Sequence, residues 1–150
     1  MLDKYDPMNM FHSKKPFKER KREEESEQLR FCKWLKHEHP TIRFRSDMQA
    51  GEKKSYGRVS LASILDPWKG WPDVAIYLKR GNCCGLQIEL KKIGSGVFLK
   101  DGSLSTGKHV QEQAEMHEFL RSLGWKVEFA EGAEEAKRIF LEYVGNINKS

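Results

Sequence analysis

The sequence has 150 residues, a mass of 17.5 kDa and a formal net charge of +5, which suits one domain with one hydrophobic core. Four Trp, eight Phe and four Tyr argue against a wholly disordered chain. No apolar run approaches the roughly 18 residues of a membrane span, and the first 25 residues lack the apolar stretch of a signal peptide. Three cysteines without a Cys-x-x-Cys pair argue against a disulfide framework or a structural zinc site. We therefore expect a small cytoplasmic protein without a membrane partner.

The positive charge is concentrated in the middle of the chain. Residues 28–110 contain fifteen Lys and Arg against seven Asp and Glu, whereas residues 111–150 contain five against eight. Such an excess is expected if the middle of the chain faces a polyanion, although scattered lysines often only solvate a surface. Charge alone makes nucleic acid a plausible partner and nothing more specific.

The first half of the chain predicts a tail followed by a helix. Residues 1–20 show no periodicity and are expected to be a flexible basic N-terminal tail, ahead of a single domain at residues 21–146. The predicted elements are a helix from about Pro16 to Glu38 that ends at His39–Pro40, a short strand at Thr41–Arg45 and a short helix within Gly57–Leu65.

The second half predicts a β-hairpin followed by a helix, a strand and a helix. A Gly-Asn pair between two apolar runs is typical of a tight turn that joins antiparallel strands. The elements are strands Asp73–Leu78 and Leu86–Lys91, a loop over residues 94–108, a helix from about His109 to Ser122, a strand at Lys126–Ala130 and a helix from about Ala133 to Val144. The predicted apolar positions of the two helices are Val110, Met116, Phe119, Leu120 and Leu123 in the first, and Ala136, Ile139, Phe140 and Tyr143 in the second. This order is that of a mixed α/β domain.

Three charged residues of the predicted hairpin form the pattern Pro-Asp…Glu-x-Lys. Glu89 and Lys91 are two positions apart on one strand, so their side chains leave the same face, and Asp73 begins the neighbouring strand. Two converging carboxylates repel each other unless one is protonated or a cation bridges them, and hard oxygen donors favour Mg²⁺ or Mn²⁺. The pattern is compatible with metal-dependent phosphodiester hydrolysis, in which Lys91 orients or helps to deprotonate the attacking water.

The same residues also fit an ordinary solvated hairpin. Glu-x-Lys is common on any strand with one polar face, and Pro-Asp is common at the start of a strand. On these pieces alone the solvated hairpin is favoured over a nuclease.

A second motif, Gly102–Lys108, nearly matches the phosphate-binding P-loop. His109 stands where that motif requires the Ser or Thr that binds Mg²⁺. We therefore expect no nucleotide cofactor.

The order of the motifs resembles the PD-(D/E)xK nuclease superfamily and, within it, the virus-type replication-repair nuclease (VRR-NUC) domain. The matching pieces are Gly70–Asp73, Gly85–Lys92 and the helix positions Gln113, Met116, Leu120 and Gly124. The resemblance covers roughly residues 23–145, and the chain resembles phage-encoded stand-alone members of the family. Its segment Phe44–Leu65 is longer and more basic than the corresponding part of a minimal family core. The resemblance implies an α/β fold with a restriction-endonuclease-like core, in which helices flank a central mixed β-sheet.

The resemblance also implies roles for individual residues. Metal ligands would be Asp73, Glu89 and the backbone carbonyl of Leu90, and the catalytic residues would be Asp73, Glu89, Lys91 and Gln113. Gln113 would contact the attacking water or the phosphate, and Gln111 competes for this role. Supporting candidates are Glu27, whose position in an acidic run fits a solvated helix start equally well, His109 and Asp47. The expected nucleic-acid-binding residues are Lys53, Lys54, Arg58, Lys69, Lys92 and Lys108.

The function implied by the resemblance is a Mg²⁺- or Mn²⁺-dependent DNA endonuclease. It would be structure-selective for junction, flap or nicked DNA in phage replication, recombination or repair, and it would act as a homodimer in the host cytoplasm. The alternative is a non-catalytic nucleic-acid-binding accessory protein on a nuclease-like fold. The complete set of Asp, Glu, Lys and Gln favours the enzyme, because a binding protein has no need of two carboxylates beside a phosphate.

Overall fold

The structure, a computed structural model, describes residues 26–47, 61 and 63–145. Its helices and strands in chain order are α1 (Glu27–Glu38), β1 (Phe44–Ser46), β2 (Val74–Ile76), β3 (Gly85–Lys91), α2 (Lys108–Ser122), β4 (Trp125–Glu131) and α3 (Ala133–Gly145). The expected tail over residues 1–20 lies outside the described residues, as does the predicted start of the first helix at residues 16–25. None of the described helices is long and apolar enough to cross a membrane.

The four strands form one mixed sheet in the order β1-β2-β3-β4. β1 pairs antiparallel with β2, and β2 pairs antiparallel with β3 with Val74 opposite Ile88, so the predicted hairpin is confirmed. β3 and β4 run parallel, from the Gly85–Trp125 pair onwards. A parallel pair needs a crossover connection, which α2 supplies. The expected class, a central mixed sheet flanked by helices, is confirmed.

α1 and α3 cover one face of the sheet with the main apolar core. The buried members of this cluster are Phe31, Leu35, Val74, Ile76, Leu86, Ile88, Ala130, Ala133, Ala136, Ile139, Phe140 and Tyr143. The Tyr143 hydroxyl donates a hydrogen bond of 2.5 Å to the Leu78 carbonyl, which ties α3 to the hairpin. The four apolar positions predicted for this helix are all buried, and their removal from water is a main source of stability.

α2 covers the opposite face of the sheet with a stripe that is partly polar. The buried residues of α2 are Gln113, Met116, His117 and Leu120. This spacing leaves Phe119 52% exposed and Leu123 58% exposed, so the prediction that they belong to the buried face is wrong. The physical reason is that the helix turns the stripe containing Gln113 and His117 towards the sheet, where β3 presents polar side chains.

Local hydrogen bonds set the ends of several elements. α1 begins at Glu27 because the Ser26 hydroxyl accepts a hydrogen bond from the Leu29 amide at 3.2 Å. The Ile42 amide donates to the His39 carbonyl in a turn, so β1 begins at Phe44 rather than at the predicted Thr41. Residues 61 and 63–65 are helical as predicted, whereas residues 57–60 lie outside the described part of the chain.

The N-terminus of α3 is capped by a side chain of α1. The Glu27 Oε2 atom accepts a hydrogen bond from the Ala133 amide at 2.7 Å, and its Oε1 atom accepts one from Arg30 at 3.1 Å. The Ala133 hydrogen bond lowers the pKa of Glu27, so the carboxylate is charged at neutral pH and complements the helix dipole. Glu27 therefore joins the two helices that cover one face of the sheet.

We expect Glu27→Ala to lower the free energy of unfolding by about 1 kcal/mol, because it removes this cap. A matched control is Glu142→Ala on α3, which removes only a surface ion pair with Arg138 and is expected to cost less than about 0.5 kcal/mol. Urea denaturation at neutral pH measures both. Equal losses in the two variants would contradict the capping role.

Candidate active site

Asp73 lies at the open end of the β2–β3 hairpin, away from its turn. The register that pairs Val74 with Ile88 places Asp73 opposite Glu89. The Asp73 Oδ2 atom accepts a hydrogen bond from the Leu90 amide at 2.8 Å, which fixes the carboxylate against β3. The two carboxylates named by the sequence pattern therefore belong to adjacent positions of the same sheet.

Glu89, Lys91 and Gln113 form one hydrogen-bonded network between β3 and α2. The Lys91 ammonium donates to Glu89 Oε1 at 2.8 Å and to Gln113 Oε1 at 2.8 Å. The Gln113 amide nitrogen donates to the same Glu89 Oε1 atom. Glu89 is only 3% exposed and Gln113 only 4%, whereas the Lys91 side chain is 17% exposed. The ammonium thus lies between a buried carboxylate and solvent.

Burial and mutual repulsion disfavour the charged forms of both carboxylates. Burial, with the Asp73 carboxylate as the next cause, raises the pKa of Glu89 to about 7. Burial also raises the pKa of Asp73, and the hydrogen bond from the Leu90 amide opposes that rise. The contacts of Glu89 with Lys91 and Gln113 lower its pKa without cancelling the effect of burial. Additional positive charge beside the two carboxylates would therefore stabilise their charged forms.

The donor set of this site fits a hard divalent cation. Glu89 Oε2 is buried and has no hydrogen-bond partner among the described residues, so this oxygen is available as a ligand. The Leu90 amide faces Asp73, and the carbonyl of a strand residue points to the same side as its amide, so the Leu90 carbonyl faces Asp73 too. Within the described ranges no group of three or more His, Cys, Asp or Glu side chains is placed to hold a metal. Two carboxylates, a carbonyl and water are the oxygen donors that Mg²⁺ and Mn²⁺ accept.

Gln111 and Gln113, the two candidates for contact with the attacking water or the phosphate, lie in different surroundings on α2. Gln111 is exposed, and its side chain donates to the Ser105 carbonyl at 2.7 Å, within the loop that precedes the helix. Gln113 instead contacts both Lys91 and Glu89. The exposed His109 lies one turn before Gln113, at the outer end of the same helix face. The structure thus brings Gln113, and not Gln111, to the carboxylates.

Asp47 and Glu27, the other supporting candidates, lie in different surroundings. The Asp47 amide donates to the Asp73 carbonyl at 3.0 Å, and the Asp47 carboxylate raises the pKa of Asp73. Asp47 is therefore a neighbour of the site. The hydrogen bonds of Glu27 run to Ala133 and Arg30, which gives this residue a structural role at the start of α3.

Three exposed lysines lie in segments that adjoin the elements of the candidate site in the sequence. Lys69 precedes Gly70, Lys92 directly follows β3, and Lys108 begins α2. The other three expected nucleic-acid contacts, Lys53, Lys54 and Arg58, lie outside the described residues.

His117 is a polar residue of this region that the sequence analysis missed. It lies one helical turn after Gln113, is fully buried, and packs on Phe129 with ring centroids 4.3 Å apart. Burial lowers the pKa of His117 to about 4, so the imidazole is neutral at physiological pH. Neither ring nitrogen has a hydrogen-bond partner among the described residues. The sequence contains one signal for this position, because His117 is four residues after Gln113 and therefore lies on the same face of the helix.

The raised pKa of Glu89 predicts a pH-dependent stability in metal-free buffer. The Glu89 carboxyl has a pKa near 4.5 in the unfolded state and about 7 in the folded state, so folding favours its protonated form. Protonated Glu89 therefore stabilises the folded state at low pH, and this contribution is lost as the pH rises from about 4.5 towards 7. Glu89→Gln removes this titration, so relative to the parent its free energy of unfolding should rise by about 2 kcal/mol from pH 5 to pH 8.

Chemical denaturation in EDTA at pH 5 and pH 8 measures this difference. Glu118→Gln, at an exposed position of α2, serves as the control and should follow the parent at both pH values. If Glu89→Gln changes the free energy of unfolding by the same amount at both pH values, the raised pKa assigned to Glu89 is wrong.

No protein-family model and no curated protein matches this chain. A solved structure described as a VRR_NUC domain protein superposes with a TM-score of 0.52 at 22% sequence identity, over 79% of this chain and 85% of that chain. At this identity the likeness concerns the fold and does not transfer an activity. The resemblance drawn from the sequence motifs is thus confirmed at the level of the fold, which this chain shares with a VRR_NUC domain protein.

Proposed function

We propose that this chain is a nuclease of the VRR-NUC type that hydrolyses phosphodiester bonds in DNA with Mg²⁺ or Mn²⁺. One observation carries the proposal: Asp73 just before β2, Glu89 and Lys91 on β3, and Gln113 on α2 come together at one end of the hairpin. The fold shared with a VRR_NUC domain protein supports it. Burying the Glu89 carboxylate beside the partly buried Asp73 carboxylate is costly, so a solvated hairpin does not account for this arrangement.

Asp73, Glu89 and the Leu90 carbonyl would hold the divalent cation. When bound there, the cation would supply Lewis-acid stabilisation of charge on the phosphate and would acidify a water ligand. The buried Glu89 Oε2 atom and the raised pKa values of both carboxylates support this assignment.

Lys91 and Gln113 act on the attacking water and on the phosphate. Two of the three N–H groups of the Lys91 ammonium are used by Glu89 and Gln113, and the partly exposed side chain leaves the third for a ligand. The ammonium neutralises negative charge that develops on the phosphate. Gln113 holds Lys91 in place through its carbonyl oxygen and is placed beside Glu89 to orient the attacking water.

The surrounding charge supports DNA as the substrate. Lys69, Lys92 and Lys108 are exposed on three segments around the carboxylates, where each is able to contact the phosphate backbone. We propose that the enzyme selects its substrate by DNA structure, such as a junction, flap or nick. A junction-resolving enzyme must present two sites, which favours a homodimer. The proposed setting is phage replication, recombination or repair.

We expect Lys91→Ala and Asp73→Asn each to reduce Mn²⁺-dependent nicking of a supercoiled plasmid by at least about a hundredfold, because each removes a group that touches the reacting atoms. Asp73→Asn keeps the shape of the side chain, so it separates lost chemistry from lost folding. EDTA should abolish nicking by the parent, and Ca²⁺ should support DNA binding with little turnover.

The matched control is Lys79→Ala, which removes an exposed lysine near the turn at the other end of the hairpin. It should leave the rate within about twofold of the parent. Undiminished nicking by Asp73→Asn would exclude the assigned site. A parent that binds DNA tightly but never cuts it in Mn²⁺ would favour the accessory-protein alternative.

A further inference from the structure

We propose that the exposed indoles of Trp68 and Trp71 stack on unpaired bases of the DNA strand that enters the candidate active site. This inference rests on the nuclease function proposed above and adds a substrate class to it, DNA with unpaired nucleotides next to the scissile bond. The observations concern the segment between residues 64 and 73, which leads directly into β2.

Large apolar side chains of this segment are exposed to an unusual degree. Trp68 is 70% exposed and Trp71 is 42% exposed, and the aliphatic side chains of Ile64 and Leu65 are 72% and 74% exposed. Trp68 exposes far more of its indole than is usual, and several large exposed apolar side chains within one short segment are typical of an interaction surface. An interaction partner of this segment is therefore expected.

Gly70 fixes the segment against the helix that carries Gln113. A Cβ atom at Gly70 would lie 2.7 Å from the Glu112 carbonyl oxygen and 3.1 Å from the Gln113 Cα atom, and the φ angle of Gly70 is +84°. Only glycine permits this approach in this backbone conformation. The backbone between the two indoles is consequently held against α2 beside Gln113, which contacts both Glu89 and Lys91.

The polar atom of the Trp71 ring is already satisfied within the segment. Its Nε1 atom donates a hydrogen bond of 3.0 Å to Asp66 Oδ1. This contact orients the indole and leaves its apolar faces as the remaining surface for contact. Trp71 is only two residues before Asp73, so we expect a base stacked there to belong to the strand that reaches the carboxylates.

The surrounding charge favours a nucleobase over an apolar protein partner. Lys69 lies between the two indoles in the sequence and is exposed, as are Lys92 directly after β3 and Lys108 at the start of α2. Aromatic faces between basic side chains are the usual platform for single-stranded nucleic acid, because every base offers a π-face and a phosphate. In a continuous duplex those faces are covered by neighbouring base pairs, so only unpaired nucleotides offer them.

The test compares two DNAs that differ only in an unpaired tail containing 2-aminopurine, with Ca²⁺ in place of Mg²⁺ so that binding is measured without cleavage. We expect Trp68→Ala to weaken binding of the tailed DNA roughly tenfold and to remove the quenching of 2-aminopurine fluorescence, with less than a twofold effect on the fully paired DNA. Trp68→Phe should recover most of the affinity.

Leu65→Ala is the matched control, because it shortens an equally exposed apolar side chain of the same segment without removing an aromatic ring. An equal loss of DNA binding in Leu65→Ala and Trp68→Ala would overturn the proposal, because the affinity would then not depend on an aromatic ring. The proposal would also be overturned if Trp68→Ala weakened the binding of both DNAs equally, or weakened the binding of neither. If the parent cuts DNA in Mn²⁺ and Trp68→Ala binds as the parent does, this inference alone fails. If the parent neither binds nor cuts DNA, the proposed function fails with it.

Discussion

The burial of the Glu89 carboxylate beside Asp73 is the constraint on which the rest of the site depends. A carboxylate removed from water is unfavourable unless hydrogen bonds and opposite charge compensate it, and the protein supplies Lys91 and Gln113 to one oxygen of Glu89. The other oxygen remains without a partner among the described residues, and the pKa of Glu89 stays raised to about 7. The arrangement is therefore costly for the fold in its metal-free form, and a cation held between the two carboxylates would offset that cost.

The sheet topology creates that constraint. β3 is antiparallel to β2 on one side, which brings Asp73 opposite Glu89, and parallel to β4 on the other, which requires the α2 crossover. α2 then closes over the polar face of β3 and brings Gln113 into contact with it. The opposite face is packed by α1 and α3, and their large apolar core provides the stability against which a costly site is maintained. One strand thus serves the core with one face and the proposed chemistry with the other.

Local signals in the sequence predicted the order of the helices and strands and the pairing of the two carboxylates, although not every boundary. The Gly-Asn turn defined the hairpin, and strand alternation put Glu89 and Lys91 on one face. Gln113 came from the resemblance of the motifs, since a spacing of 22 residues from Lys91 has no local meaning. The burial of the Glu89 face was not predictable, because it depends on the long-range pairing of β3 with β4. For the same reason the outward position of Phe119 was missed.

A calorimetric titration with Mn²⁺ shows whether Asp73 and Glu89 share one divalent cation. We expect one site in the parent and its loss in both Asp73→Asn and Glu89→Gln, while Glu118→Gln retains it. Unchanged Mn²⁺ affinity and stoichiometry in the two site variants would mean that the cation is held elsewhere.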